Sequence, residues 1–422
     1  MQTIFNSKVK ETLYVEKLKN GLTVMIIPKK GIQKKYIIWG THYGSNDNKF
    51  IVPGEKEPIE VPKGVAHFLE HKMFEQENGK NSLDVLTSLG VSANAYTTNN
   101  HTAYLYECTD NFYEALDEFM DYVQHPYFTD ENVEKEKGII GQEIKMYDDY
   151  PEWRVYLNVL DAMYYKNPIK LDVTGTVETI SHIDKEVLYK CYNTFYNPSN
   201  MCLVVSGDFE PESLLEEIKK RLIDTKQNGE IKRIFEEEPQ GIVKPKVEQK
   251  MNVSKPLFTI GIKCKVPNQN EKVRVHIGTE IILNMLIGES SNLYKEMYQI
   301  GNIFNVPGLS YEFGENYAYI LIAEKANDPE ILFERLREEI ESFKKNGLNE
   351  EDFERTKKMM YGEYVKEYND VTSIAGMFLS DFMKGINSFD YLEEVDIMDL
   401  NFVNQVLKDN FDLEKMVLSV VK

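Results

Sequence analysis

The sequence predicts an α+β protein built from two homologous α/β sandwich domains related by an internal duplication. Three observations carry this expectation. The chain has 422 residues, room for two to three domains at about 150 residues each. Runs with strand-like alternation are interspersed with runs of helical periodicity. The order of these runs in the first half recurs in the second at an offset of about 220 residues, too long for a solenoid repeat.

The elements follow in order. Leu13-Tyr14-Val15 and Leu22 to Ile27 flank Asn20-Gly21 and read as a hairpin. Tyr36 to Trp39 is a short apolar strand. Gly64 to Phe74 and Asn81 to Leu89 read as helices. Ala93 to Thr97 and Thr102 to Tyr106 read as strands joined by the turn-prone Asn99-Asn100. Helices are expected at Phe112–His125, Glu131–Tyr147, Glu152–Tyr164 and Asp184–Tyr196, then a strand from Asn200 to Gly207.

From Thr225 to Lys250 the periodicity is poor. Asn228-Gly229, Pro239-Gln240-Gly241, Pro245 and the acidic run Glu236-Glu237-Glu238 mark an interdomain linker. The expected division is therefore 1–225, a linker 226–250, and 251–422. In the second half Phe258–Lys263 reads as a strand, His276–Ile287 as a helix and Ala318–Ala323 as a strand. Asn349-Glu350-Glu351-Asp352 opens a long helix, as Thr129-Asp130-Glu131-Asn132 does in the first half. Leu400–Leu407 and the strand Met416–Val421 match Ile183–Tyr196 and Met201–Val205.

The charge balance is 49 basic against 69 acidic residues, a net of −20. That disfavours nucleic acid, which needs a basic footprint, and a peripheral anchor on anionic lipid. No window is long and apolar enough to predict a membrane span. The N-terminal stretch Met1–Gly21 lacks the apolar core of a secretory signal. Cys108, Cys191, Cys202 and Cys264 are scattered without a CxxC pair, which fits a reducing compartment. A cytoplasmic protein is the expectation.

The chemistry concentrates at His67-Phe68-Leu69-Glu70-His71. Two histidines at i and i+4 stack on one helical face, where one tetrahedral metal reaches both imidazoles. Glu70 flanks the same face without needing to ligate. A carboxylate there can take a proton from water whose pKa a metal has lowered from about 15.7 to about 7. This H-x-x-E-H pattern is the inverse of H-E-x-x-H. A third ligand is needed, with the fourth position left open. Glu131, Glu134, Glu136 and Glu143 share the helix after Thr129. Glu131 and Glu134 read as a solvated face. Glu143 lies in the apolar stretch Gly138–Ile144, where an acid is costly unless paired or metal-bound. His42, His101, His125, His182 and His276 have no ligand-like spacing.

The sequence resembles the insulinase/pitrilysin-type zinc peptidases, in their short processing-peptidase-like branch. The resemblance rests on His67–His71, on Ala93-Asn94-Ala95-Tyr96-Thr97, on Glu136-x6-Glu143 followed by Met146 and Pro151, and on Asn197-Pro198-x-Asn200-Met201. It implies that His67, His71 and Glu143 ligate Zn2+ and that Glu70 is the general base, activating a zinc-bound water. It implies that Glu136 orients a ligand histidine. The strand carrying Ala93, Asn94, Ala95 and Tyr96 would bind substrate as an added strand. The implied activity is zinc-dependent endopeptidase hydrolysis of peptides or small unfolded proteins in a closed chamber. A catalytically silent assembly subunit of the same fold is the alternative.

One departure bears on partners. Active members of the family place an Arg and a Tyr, seven residues apart, in the second half to hold the substrate carbonyl. Here Lys295 and Asn302 fall at those positions, with Tyr298 and Tyr311 nearby. Lys lacks the planar two-donor fork of Arg, and Asn302 has no phenol. The expectation is a catalytic subunit whose sister chain supplies the Arg/Tyr pair in a heterodimer, with a homodimer as the other arrangement.

Overall fold

The structure, a computed structural model, describes residues 1–226 and 229–422. Of the Asn228-Gly229 turn signal, Asn228 lies outside the described residues. The chain folds into two compact units. The first comprises Met1–Ile144, Asp172–Ile234 and Lys366–Ser388; the second comprises Lys145–Leu171, Phe235–Val365 and Phe389–Lys422.

The first unit is built on a seven-stranded sheet in the order Gln2–Asn6, Glu11–Lys17, Thr23–Pro28, Met201–Gly207, Lys35–Thr41, Thr102–Cys108, Ser92–Thr97. The expected hairpin pairs Glu11–Lys17 with Thr23–Pro28, and Gly21 takes φ 95° in its connection. Period-2 alternation splits each central strand between two faces. Val24, Ile26, Ile37, Trp39, Leu203 and Val205 face a core shared with the helix Phe112–Gln124. That helix offers Phe112, Ala115, Leu116, Phe119, Met120 and Val123, a 3.6-period stripe. The opposite face is covered by Val371–Met383, a helix from the far end of the sequence that packs on Met201–Gly207 and Lys35–Thr41. A Cβ on Gly40 would lie 2.8 Å from Cδ1 of Leu379. With both faces buried, Met201–Gly207 is buried at every residue, which explains its unbroken apolar run.

The second unit carries a five-stranded sheet in the order Lys246–Gln249, Met416–Val421, Leu257–Lys263, Ala318–Lys325, Gly308–Phe313. The helix Pro151–Met163 packs on its two central strands Leu257–Lys263 and Met416–Val421. A Cβ on Gly261 would lie 2.8 Å from Cγ2 of Val159.

The duplication is visible in the pairing. In each sheet one strand runs parallel to the strand that ends its half: Thr23–Pro28 beside Met201–Gly207, and Lys246–Gln249 beside Met416–Val421. Three antiparallel pairings follow in both. Each sheet is also covered by a helix that belongs, by sequence, to the other half. The contact units therefore cut across a division into 1–225 and 251–422.

Two strands lie within residues 229–250. Lys232–Arg233 pairs with Lys49–Ile51, and Lys246–Gln249 is a strand of the second sheet. Glu238, in the acidic run that helped mark the linker, is anchored. Its Oε1 accepts from Nζ of Lys263 at 2.7 Å and from the Tyr165 N–H at 2.9 Å, and its Oε2 accepts from the Lys166 and Asn167 N–H groups at 2.8 Å each. Its donors come from remote chain, so no local periodicity announces it.

Candidate metal centre

The motif helix is Val65–Lys72. Its entry is set by two glycines in the left-handed region, Gly64 at φ 93° and Gly175 at φ 75°. Their backbones meet so closely that a Cβ on Gly64 would sit 2.5 Å from the Thr174 carbonyl oxygen, and one on Gly175 2.6 Å from that of Lys63. Phe68 and Leu69 are fully buried in the core, which fixes the helix rotation and turns His67, Glu70 and His71 to one side. The second helix that contributes to the cluster is Asp130–Asp148. Thr129 and Asn132 cap its start reciprocally: Thr129 Oγ1 accepts from the Asn132 N–H, and Asn132 Oδ1 accepts from the Thr129 N–H. Ile140 and Ile144 anchor it to the core, leaving Glu136 and Glu143, two turns apart, toward the histidines.

These elements bring His67, His71 and Glu143 together. One ligand atom from each lies within 4.8 Å of the other two. Nε2 of His67 is 3.7 Å from Oε1 of Glu143, and Nε2 of His71 is 3.5 Å from Oε2. A tetrahedron with bonds of about 2.0–2.1 Å has edges of about 3.3 Å, so both separations are a few tenths of an ångström from zinc geometry. Oε2 of Glu143 is buried and makes no hydrogen bond among the described residues. A carboxylate whose two oxygens each face an imidazole, one of them buried without a hydrogen bond, fits a cation, and the N2O donor set fits zinc with one position open.

The surroundings complete the centre. Oε1 of Glu136 lies 3.1 Å from Nδ1 of His71, so it can accept that N–H and leave Nε2 free to ligate. Nδ1 of His67 is buried with no hydrogen-bond partner among the described residues. Burial, helped by the neighbouring His71, pushes His67 down to about 3, so its imidazole stays neutral. Burial also lowers His71, but the Glu136 hydrogen bond and the nearby carboxylates overturn this and leave it raised. Burial lifts Glu143 above the usual carboxylate range against the pull of His71. Glu70 is raised by its burial, opposed by a hydrogen bond from Thr97. Thr97 Oγ1 donates that bond to Oε2 of Glu70 at 2.7 Å.

The strand Ser92–Thr97 lies at the sheet edge, paired on one side with Thr102–Cys108. A cleft of about 430 Å3 opens over Glu70, His71 and Glu136, with Asn94, Ala95, Phe74 and Ile139 among its walls. Of the four strand residues expected to bind substrate, Asn94 and Ala95 line this cleft. Ala93 packs on the core. The Tyr96 hydroxyl instead reaches Nε2 of His101 at 3.4 Å. Sequence reasoning gave Thr97 no role. The signal was its parity with Ala93 and Ala95, which places it on the helix-facing side.

In the second unit, Asn302 is 4% exposed, and its amide donates to the Asp328 carbonyl while its oxygen accepts the Asp328 N–H. It is a structural residue. Lys295 is exposed, its Nζ donating to the Ser290 carbonyl at 3.0 Å. Tyr311 is 2% exposed and Tyr298 55% exposed, so of the two nearby phenols Tyr298 is the accessible one.

Fold and centre together define a peptidase-type scaffold of two duplicated α/β units with a His-His-Glu cluster in the first. Residues 57–177 match the insulinase family (peptidase family M16), and residues 182–360 match the peptidase M16 inactive domain. The chain is 38% identical to the uncharacterized zinc protease YmfH of Bacillus subtilis (strain 168), over 98% of this chain and 97% of that one. It therefore belongs to the M16 family. A crystal structure of an M16-like peptidase from Alicyclobacillus acidocaldarius superposes with a TM-score of 0.93 at 32% identity, covering 97% of this chain and 98% of that one. A mitochondrial-processing peptidase subunit beta of Caenorhabditis elegans is 27% identical over 40% of this chain and 38% of its own. No helix among the described residues is long and apolar enough to cross a membrane.

Proposed function

We propose that this chain is a zinc-dependent endopeptidase acting on peptides or small unfolded proteins. The observation that carries the reading is the convergence of His67, His71 and Glu143 on one point beside Glu70. His67 and His71 would hold Zn2+ through Nε2, and Glu143 through its carboxylate. Bound zinc supplies water acidified to a pKa of about 7 and polarises the scissile carbonyl. Glu70 takes the proton of the attacking water and returns it to the leaving amine. Thr97 holds Oε2 of Glu70, so the carboxylate keeps one orientation through both transfers. Glu136 accepts the Nδ1–H of His71 and fixes its tautomer. An extended peptide adds to the open edge of Ser92–Thr97, and the Asn94–Ala95 side of the cleft receives a side chain.

The proposal extends to partners. Asn302 is committed to Asp328, and Lys295 has no guanidinium fork. This supports a catalytic subunit that works with a sister chain supplying an Arg/Tyr pair, with a homodimer as the other assembly. The free cysteines Cys108, Cys191, Cys202 and Cys264 suit a cytoplasmic location. We read the two homologous domains as 1–225 and 251–422, joined by an interdomain linker at 226–250.

The test is hydrolysis of a quenched-fluorescent peptide library with zinc quantified in the same sample. Zinc-loaded protein whose hydrolysis a chelator stops, and whose Glu70→Gln variant keeps zinc but is silent, supports the reading. Protein without stoichiometric zinc overturns it. If zinc-loaded protein is silent alone and gains activity on adding a sister chain, the two-subunit assembly stands.

A further inference from the structure

Lys72 follows the motif directly, and its side chain is completely buried. A lysine is almost never fully buried unless paired, and an unpaired ammonium in such a place is strongly destabilising. Lys72 has two carboxylate partners. Its Nζ donates to Oε2 of Glu75, and it forms an ion pair with Oε2 of Glu136 at 3.8 Å. The other oxygen of Glu136, Oε1, faces Nδ1 of His71 at 3.1 Å.

The two oxygens of Glu136 are thus divided between a buried cation and a ligand histidine. From this geometry we infer that Lys72 is a positioning residue for the metal centre: its ammonium holds Oε2 of Glu136, so that Oε1 stays in line with Nδ1 of His71. The inference rests on the zinc reading above and deepens it by one layer. A carboxylate free to rotate about its terminal torsion, which is broad, would lose that alignment part of the time. Glu75, three positions along the chain, is the second carboxylate partner of the ammonium.

The chain lys–carboxylate–imidazole does no chemistry on substrate. Its effect is on how firmly Nε2 of His71 is presented. Outer partners of ligand histidines are worth about 10- to 100-fold in metal affinity. Lys72 acts through Glu136 across an ion-pair distance rather than a hydrogen bond, so the lower end of that range applies.

The experiment compares full-length wild type, Lys72→Met, Lys72→Arg, Glu136→Gln and the Lys72→Met/Glu136→Gln double variant. Zinc affinity is measured by competition with a chromophoric chelator, and the Co2+-substituted forms by their visible absorption. Lys72→Met is expected to weaken zinc about tenfold and to alter the Co2+ spectrum. Lys72→Arg, which keeps the charge, restores both toward wild type. The double variant is expected to bind no more weakly than Glu136→Gln alone, because both act through one carboxylate. Lys72→Met binding zinc as wild type with an unchanged Co2+ spectrum overturns the inference, as does a double variant whose losses add. Wild type that takes up no zinc overturns the proposed function itself, which separates the two failures. Should Lys72→Met not fold, Glu75→Gln, which loosens the ammonium, replaces it: a modest loss of zinc affinity that does not add to that of Glu136→Gln is expected, and wild-type affinity or an additive loss overturns the inference.

Discussion

Thr97 Oγ1 donates a 2.7 Å hydrogen bond to Oε2 of Glu70, joining the last residue of the edge strand to the acid of the motif helix. The strand proposed to take the peptide and the proposed base are thereby held in one register. Hydrogen bonds to charged groups contribute about 1.5–3 kcal/mol. Thr97→Val is therefore expected to lower kcat by about tenfold or more, at 1.4 kcal/mol per decade. Zinc content should not change, since Thr97 touches no ligand, and Thr97→Ser should recover most of the rate. Steady-state kinetics on zinc-quantified protein checks this. Equal loss of zinc and rate in Thr97→Val would assign Thr97 to the fold of the centre instead.

Removing a proposed ligand should act on the metal first. Structural zinc sites bind with about 10–16 kcal/mol, so each of the three proposed ligands would carry several kcal/mol. Glu143→Gln and His67→Ala are each expected to weaken zinc at least about a hundredfold. They should also abolish the rise in melting temperature that excess zinc gives wild type, since that rise reports binding to the folded state alone. Calorimetric scans with and without zinc read both effects.

The parts of this centre legible in the sequence are those fixed by helical spacing. His67 and His71 at i and i+4, and Glu136 and Glu143 two turns apart, follow from 3.6 residues per turn, whatever surrounds them. Lys72 and Thr97 obey no such spacing. Their partners Glu136 and Glu70 are 64 and 27 positions away, and only the packing of helix on helix and helix on strand brings them near. The same limit explains the exchanged helices. The apolar stripes of Pro151–Met163 and Val371–Met383 say that one face is buried. They do not say against which sheet, and proximity in sequence suggests the wrong one. The anchoring of Glu238 is hidden for a related reason: its backbone donors at 165–167 and its lysine at 263 are invisible to a local window.

That glutamate sets a pH dependence. Burial alone would raise the Glu238 carboxyl, but the Lys263 hydrogen bond and three backbone N–H donors hold it below its ordinary 4.5. A depressed folded value means the unfolded chain binds the proton first as acid is added. The stabilisation is thus fully present above about 4.5 and is lost as pH falls through the lower folded value. Breaking a buried pair by removing one partner costs about 3 kcal/mol. Glu238→Gln is expected to be less stable than wild type by about that amount at neutral pH. The gap should narrow as the denaturation series moves below pH 4.5. A gap independent of pH would mean that the carboxylate charge contributes nothing there.

Gly40 and Gly261 occupy equivalent central strands, and each is approached by the helix exchanged from the other sequence half. A methyl group on Gly40 would lie 2.8 Å from Cδ1 of Leu379 and 3.0 Å from Cε of Met383, both tips of flexible side chains. On Gly261 it would meet Cγ2 of Val159 at 2.8 Å as well as Sδ of Met163 at 2.7 Å. Valine has one stiff torsion and cannot swing aside as leucine can. Overpacking of this kind costs about 1–3 kcal/mol, so both Gly→Ala variants should destabilise, with Gly261→Ala the more severe. The two tryptophans report separately, Trp39 beside Gly40 in the first unit and Trp153 on the helix over Gly261 in the second. Urea unfolding followed in Trp39→Phe and Trp153→Phe backgrounds should place each loss in its own unit. Val159→Ala should relieve Gly261→Ala by more than it would relieve Gly40→Ala, because it opens space over one strand alone. Equal relief of both would show that the two helices are not independent covers.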